Sequence, residues 1–343
     1  MAQQQQPESP LLEVRDLRTY FHVGRGVVVK AVDGVSFTVD RGEALGIIGE
    51  SGSGKSVTSR SILRVVDKPG RIEGGQVIFK GRDLLTLSER EMRGVRGNQI
   101  GIIFQDPTTS FDPVFTVGDQ LTETVRAHRQ VSADEAREQV LEALRLVGVS
   151  SGERVLKQYP IDFSAGFRQR LFIAMAMVLK PDLIIADEPT TTLGVTVQAE
   201  ILANLKQIQQ ELGTAIILIT HDFGVVSQLC SKIMVMYAGR AAEYASKRDV
   251  LTSPRHPYTV GLIRSVPVIE AKRTRRMNLI PGFPPDMTRL PPGCAFRPRC
   301  AHAQERCAVE VPPLLPVDVN HYAACYYPYV PAEVEAAAAG QPA

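Results

Sequence analysis

An eight-residue run, Gly49-Glu50-Ser51-Gly52-Ser53-Gly54-Lys55-Ser56, combines three glycines, a lysine and a terminal hydroxyl in the G-x-x-x-x-G-K-[ST] pattern. Glycines let successive backbone N–H groups converge on phosphate oxygens, and a helix starting at the last residues turns its positive end toward them. In such a loop Lys55 reaches the outer phosphates of a nucleotide and Ser56 holds Mg²⁺. A second pair, Asp187-Glu188, ends the apolar run Leu183-Ile184-Ile185-Ala186. The aspartate can serve the Mg²⁺ shell, and the glutamate can orient and deprotonate an attacking water. Four of the five cysteines, Cys294, Cys300, Cys307 and Cys325, fall within one 32-residue stretch, spaced C-x5-C-x6-C-x17-C. That spacing lacks the C-x2-C pairs of zinc ribbons, and a reducing compartment disfavours disulfides. Metal binding is the leading expectation for these thiols, with free thiols as the alternative. Cys230 fits an ordinary core thiol.

The elements that must hold these residues follow from the apolar pattern. Residues 44–48 form a short apolar run that enters the glycine loop, and residues 55–66 are compatible with a helix leaving it. Residues 183–186 and 215–219 are apolar runs flanked by helical segments, the pattern of buried parallel strands. Residues 11–39 contain short β-rich runs separated by glycine, which predicts an antiparallel layer. Ser132 and Glu135 form a capping box opening a helix with Ala136, Val140, Leu144 and Val147 on one face, stopped by Gly148. After about residue 245, closely spaced prolines predict an irregular appended region, and residues 1–10 and 330–343 are expected to be flexible.

The whole is an α/β chain of 343 residues, 44% hydrophobic, with 39 basic and 37 acidic residues. A net charge of +2 offers no electrostatic case for nucleic acid. The longest apolar run, residues 171–179, is nine residues long, against about 18 for a bilayer span. The Gln-rich start has neither the basic nor the apolar part of a signal peptide, so a cytosolic setting is expected.

In order and spacing these motifs resemble the ATP-binding cassette (ABC) ATPases. Phe104-Gln105-Asp106-Pro107 is similar to that family's Q-loop, and Phe163-Ser164-Ala165-Gly166 stands where its Leu-Ser-Gly-Gly signature belongs. Thr220-His221-Asp222 is similar to its switch histidine segment. Ser253-Pro254-Arg255-His256-Pro257-Tyr258-Thr259, then Pro281-Gly282 and the four cysteines, resemble the C-terminal region of dipeptide/oligopeptide importer ATPases. Thr190-Thr191-Thr192-Leu193 and the run from Asp106 to Pro113 also fit that subfamily.

The resemblance covers residues 11–328. It implies a P-loop ABC ATPase core at 11–252 with an antiparallel β subdomain and a helical signature subdomain at about 106–178. A cysteine-bearing extension would occupy 253–329. Lys55, Glu188 and His221 would be catalytic. Gly49, Glu50, Ser51, Gly52, Ser53, Gly54, Lys55, Ser56 and Val57 would hold the phosphates of ATP, with Phe21 (or Tyr20) on the adenine. Ser56, Gln105 and Asp187 would serve Mg²⁺. Ser164 and Gly166 would meet the ATP of a partner subunit. Cys294, Cys300, Cys307 and Cys325 would carry a [4Fe–4S] cluster, with zinc as second choice.

The implied function is the ATP-hydrolysing subunit of a binding-protein-dependent importer of di- or oligopeptides, at the cytoplasmic face of the inner membrane. Its partners would be a second, non-identical ATPase, two transmembrane permeases and an extracytoplasmic solute-binding protein. The alternatives are an importer of another solute, such as nickel or an oligosaccharide, or a soluble non-transport ABC ATPase. Two residues depart from the family pattern. Ala165 replaces the first signature glycine, and Gly194 stands where an aspartate is expected, which predicts one efficient and one slow ATP site in the dimer.

Overall fold

The computed structural model describes residues 9–24, 26–105, 110–191, 193–266 and 280–330. Most of the two expected flexible ends, part of the Q-loop motif (106–109) and Thr192 lie outside them. The chain forms two compact units. One comprises Met1–Glu13, Thr38–Ala44 and Ile78–Thr220, the other Val14–Phe37, Leu45–Val77 and His221–Ala343.

In the first unit, short β-branched and aliphatic runs make largely buried strands. Leu183–Asp187 lies parallel to Ile100–Ile103 on one side and to Ala215–Thr220 on the other. Their near-continuous apolar character is what a parallel sheet covered on both faces requires. The Ser132 capping box forms as expected and opens the helix Ala133–Leu146, which buries Ala136, Val140 and Leu144. Gly148, at φ +76°, follows its end. A second capping box, Thr116 with Asp119, opens Val117–His128. Residues 171–177 of the apolar run belong to the helix Ala165–Met177, which buries Leu171, Phe172, Ile173, Ala174, Ala176 and Met177. No side of that stretch is left polar, so it is a core helix.

In the second unit the strand Ala44–Ile48 is buried throughout and pairs in parallel with Lys232–Tyr237, Leu45 opposite Lys232 and Ile48 opposite Val235. Lys232–Tyr237 then pairs antiparallel with Arg240–Ser246. The strands Val28–Val39, Leu12–His22 and Gly70–Phe79 lie side by side in that order, longer than the short β-rich runs predict. The helix leaving the glycine loop spans Lys55–Ile62, four residues short of the expected end. Arg64, at φ +55°, turns the chain out of the helix.

The C-terminal stretch is irregular over residues 280–311 except for the short turns Arg297–Arg299 and Arg306–Val309. It then adds two strands that proline counting does not reveal. His321–Ala323 pairs with Arg240–Ser246, and Leu315–Asp318 pairs with His321–Ala323. Asn320, at φ +54°, makes the turn between them, a conformation that asparagine tolerates better than most residues. Among the described residues no helix is long and apolar enough to cross a membrane.

Candidate functional site

The glycine loop owes its shape to backbone crowding. A Cβ on Gly49 would stand 2.3 Å from the Met236 carbonyl oxygen, and one on Gly54 2.2 Å from that of Ala31. Gly54 also sits at φ +104°, where a side chain is strained. The buried Lys55 bends back over the loop and donates from Nζ to the carbonyl oxygens of Gly49 (2.7 Å) and Glu50 (3.0 Å). The helix Lys55–Ile62 has no side-chain cap and no acidic residue in its first turn. Ser53 Oγ is buried without a hydrogen-bond partner. An orphaned hydroxyl, an ammonium group and an uncapped helix start together fit an incoming phosphate chain. Phe21 is half-buried, with its ring edge against Gly70. Tyr20 is otherwise engaged, its hydroxyl donating to Asp33 Oδ1 at 2.5 Å.

In the first unit, Asp187 ends its strand with only 4% of its surface exposed. Glu188 follows at φ +48°, its N–H donating to the Ile219 carbonyl oxygen at 2.9 Å. Its carboxylate Oε2 accepts from Thr191 Oγ1 (2.7 Å) and Gln105 Nε2 (3.3 Å). The structure thus brings Gln105 to Glu188, two residues separated by 83 positions. His221 directly follows the strand Ala215–Thr220 and is exposed, while Asp222 caps the helix Phe223–Leu229 through Gly224 N–H at 2.7 Å.

Ser164 is the N-cap of Ala165–Met177 and accepts from Phe167 N–H at 3.4 Å. Ala165 is the first helical residue, exposed and without positive φ, so the position itself makes no demand for glycine. Gly166 does need its lack of a side chain, since a Cβ there would meet Val197 Cγ1 at 2.6 Å. Gly194 is extended (φ −67°, ψ 155°) at the N-cap of Val195–Leu212, with open space where a Cβ would go.

One contact at the glycine loop escapes motif reading. Arg299, from the cysteine-bearing stretch, donates from Nη1 to Glu50 Oε2 (2.7 Å) and from Nη2 to Glu50 Oε1 (3.0 Å). Tyr258 Oη accepts from Glu50 N–H at 2.9 Å. Tyr258 is fully buried in a ring cluster with Tyr237 and Phe296, centroids 4.6 and 5.3 Å away. The available signal was Glu50 itself: an acid in a loop built to attract anions needs a cation nearby.

The metal expectation for the cysteines is overturned. Among the described residues no group of three or more His, Cys, Asp or Glu side chains is arranged to hold a metal ion, and all four thiols are free. Neither the [4Fe–4S] cluster nor zinc is supported. The four side chains do not assemble into a metal-holding group, and in the unligated protein burial pushes the Cys294 and Cys300 thiols up and Cys325 up to about 12. Backbone bonds close the loop instead, with Cys294 N–H donating to the Cys307 carbonyl oxygen at 2.8 Å.

Comparison with known proteins adds independent support. Residues 32–191 match the ABC transporter family, and residues 242–307 match the oligopeptide/dipeptide transporter C-terminal region. A probable peptide ABC transporter ATP-binding protein of Sinorhizobium fredii is 50% identical over 328 residues, covering 95% of this chain and 98% of that one. The oligopeptide transport ATP-binding protein OppD of Salmonella typhimurium is 47% identical, covering 94% and 95%. A dimeric ATP-binding cassette solved in a post-hydrolysis state with ADP and Pi superposes with a TM-score of 0.62 at 25% identity, covering 69% of this chain and 99% of that one.

Proposed function

The chain belongs to the ATP-binding subunits of peptide ABC transporters, and on that premise we propose that it hydrolyses ATP to energise import of di- or oligopeptides. The observation that carries the hydrolytic reading is Glu188, half-buried beside Asp187 with its carboxylate oriented by Gln105 and Thr191. A carboxylate so held can accept a proton from an attacking water. Residues 49–57 bind the phosphates, Lys55 neutralises their charge and His221 contacts the outermost one. Phe21 stacks on the adenine. Toward Mg²⁺, Ser56 offers a hydroxyl, Asp187 a carboxylate and Gln105 an amide oxygen. When bound, the ion neutralises phosphate charge.

The subunit lies at the cytoplasmic face of the inner membrane, beneath two permeases fed by an extracytoplasmic binding protein. Residues 11–252 form its nucleotide-binding domain, with a helical subdomain at about 106–178, and residues 253–329 form the region typical of peptide importers. A second, non-identical ATPase completes the pair, and Ser164 and Gly166 face that partner's nucleotide. Ala165 places a methyl at the exposed helix start, and Gly194 brings no carboxylate to its own helix start, so the ATP they face turns over slowly. Substituting Glu188→Gln tests the hydrolytic reading. ATP binding persists while turnover of the assembled transporter falls at least about a hundredfold, as expected for loss of a general base. Unchanged turnover removes Glu188 from that role.

A further inference from the structure

We propose that Arg299 is a positioning residue for the nucleotide, delivered by the cysteine-bearing stretch to neutralise Glu50 so that the glycine loop accepts a polyanion. The proposal rests on the reading that residues 49–57 bind the nucleotide phosphates. Glu50 is a carboxylate in the second position of a loop whose other features all attract anions. Left uncompensated, its charge would oppose the charge of a triphosphate. The Arg299 guanidinium meets both carboxylate oxygens in a forked, two-bond arrangement that matches charge and plane together. With 7% of its surface exposed, Arg299 is poorly screened by solvent ions.

The guanidinium is fixed independently of Glu50. Its Nε donates to the Pro281 carbonyl oxygen at 2.9 Å, and its Cζ lies 5.9 Å from the Tyr237 ring centroid and 6.0 Å from that of Phe296. Arg299 ends the turn Arg297–Arg299 between Cys294 and Cys300, so the closed backbone of that stretch determines where the charge stands. Tyr258 adds a second hold through the Glu50 N–H. The extension therefore has a role at the nucleotide loop that requires no metal: it converts an acidic loop residue into part of a neutral, rigid clasp.

The test is an ATP titration of the full chain as wild type, Arg299→Met, Glu50→Gln, the Arg299→Met/Glu50→Gln double variant and His321→Gln. Arg299→Met weakens ATP binding about tenfold at low salt. Adding Glu50→Gln to that variant recovers most of the affinity, because the repelling charge is gone. Glu50→Gln alone, which removes the opposing carboxylate and leaves the Arg299 charge at the loop, binds ATP more tightly than wild type, a readout that stands even if Arg299→Met is insoluble. His321→Gln, which alters the buried pair that His321 makes with Glu243, lowers Tm and leaves affinity within about twofold. The proposal is overturned if Arg299→Met binds like wild type, if Glu50→Gln fails to rescue it, or if Glu50→Gln alone does not tighten binding. A wild-type chain that does not bind ATP removes the phosphate reading and this proposal with it. Normal wild-type binding with an indifferent Arg299→Met removes the proposal alone.

Discussion

At the scale of single residues, phosphate chemistry is legible in sequence because it constrains residue type and spacing together. Gly49, Gly54 and Lys55 take the positions their types imply, each for a reason visible in the backbone. What spacing cannot reveal is a partner brought in from far along the chain. Arg299 is 249 positions from Glu50, and no local pattern links them. Ala165 shows the converse limit. Its replacement of a signature glycine suggests a backbone conflict, yet residue 165 is ordinary helix, so only the added methyl remains as a difference. Gly194 has open space where a Cβ would go. The double substitution Ala165→Gly with Gly194→Asp is therefore expected to fold normally and to raise ATP turnover of the assembled transporter several-fold. Turnover no higher than wild type contradicts the idea of one slow site.

Among the elements, strands buried on both faces and helices with capping boxes were the readable ones, because burial and capping leave periodic or pairwise signatures. Ala44–Ile48 and Ala133–Leu146 are of this kind. The hairpin of Leu315–Asp318 and His321–Ala323 was not readable, since each strand is short and gains its stability from the neighbouring Arg240–Ser246. Its anchor is Glu243, fully buried, which accepts from His321 Nε2 (2.7 Å) and from the N–H groups of Arg255 (2.7 Å) and His256 (3.0 Å).

His256 gives this region a pH dependence. Burial, only partly offset by the Glu243 carboxylate, pushes the imidazole down to about 4, and its Nδ1 must stay unprotonated to accept from Tyr258 N–H at 3.0 Å. A folded-state value below the unfolded value of about 6.5 stabilises the fold above pH 6.5 or so, and that contribution is lost as pH falls toward 4. Tm measured across that window should fall in the wild type. A His256→Asn variant, whose amide oxygen can still cap the helix Pro257–Arg264, should fall less steeply. Equal slopes in the two proteins would contradict the assignment.

For the whole molecule, the peptide-transporter assignment draws on features at both ends of the chain, the glycine loop near the start and the cysteine-bearing extension near the end. Charge balance and apolar run lengths narrowed the class, and motif order named the family, but the thiol chemistry was misread. Cysteine count and spacing do not report how the side chains are arranged in space, and among the described residues they form no metal-holding group. The transported solute need not touch this subunit, so its own residues do not encode substrate length. The most direct measurement is ATP hydrolysis by the transporter reconstituted with its permeases, partner ATPase and binding protein, across a series of peptide lengths. Stimulation by di- or oligopeptides is the expected result. Robust hydrolysis that is indifferent to every peptide would contradict peptide import and move the cargo to another chemical class.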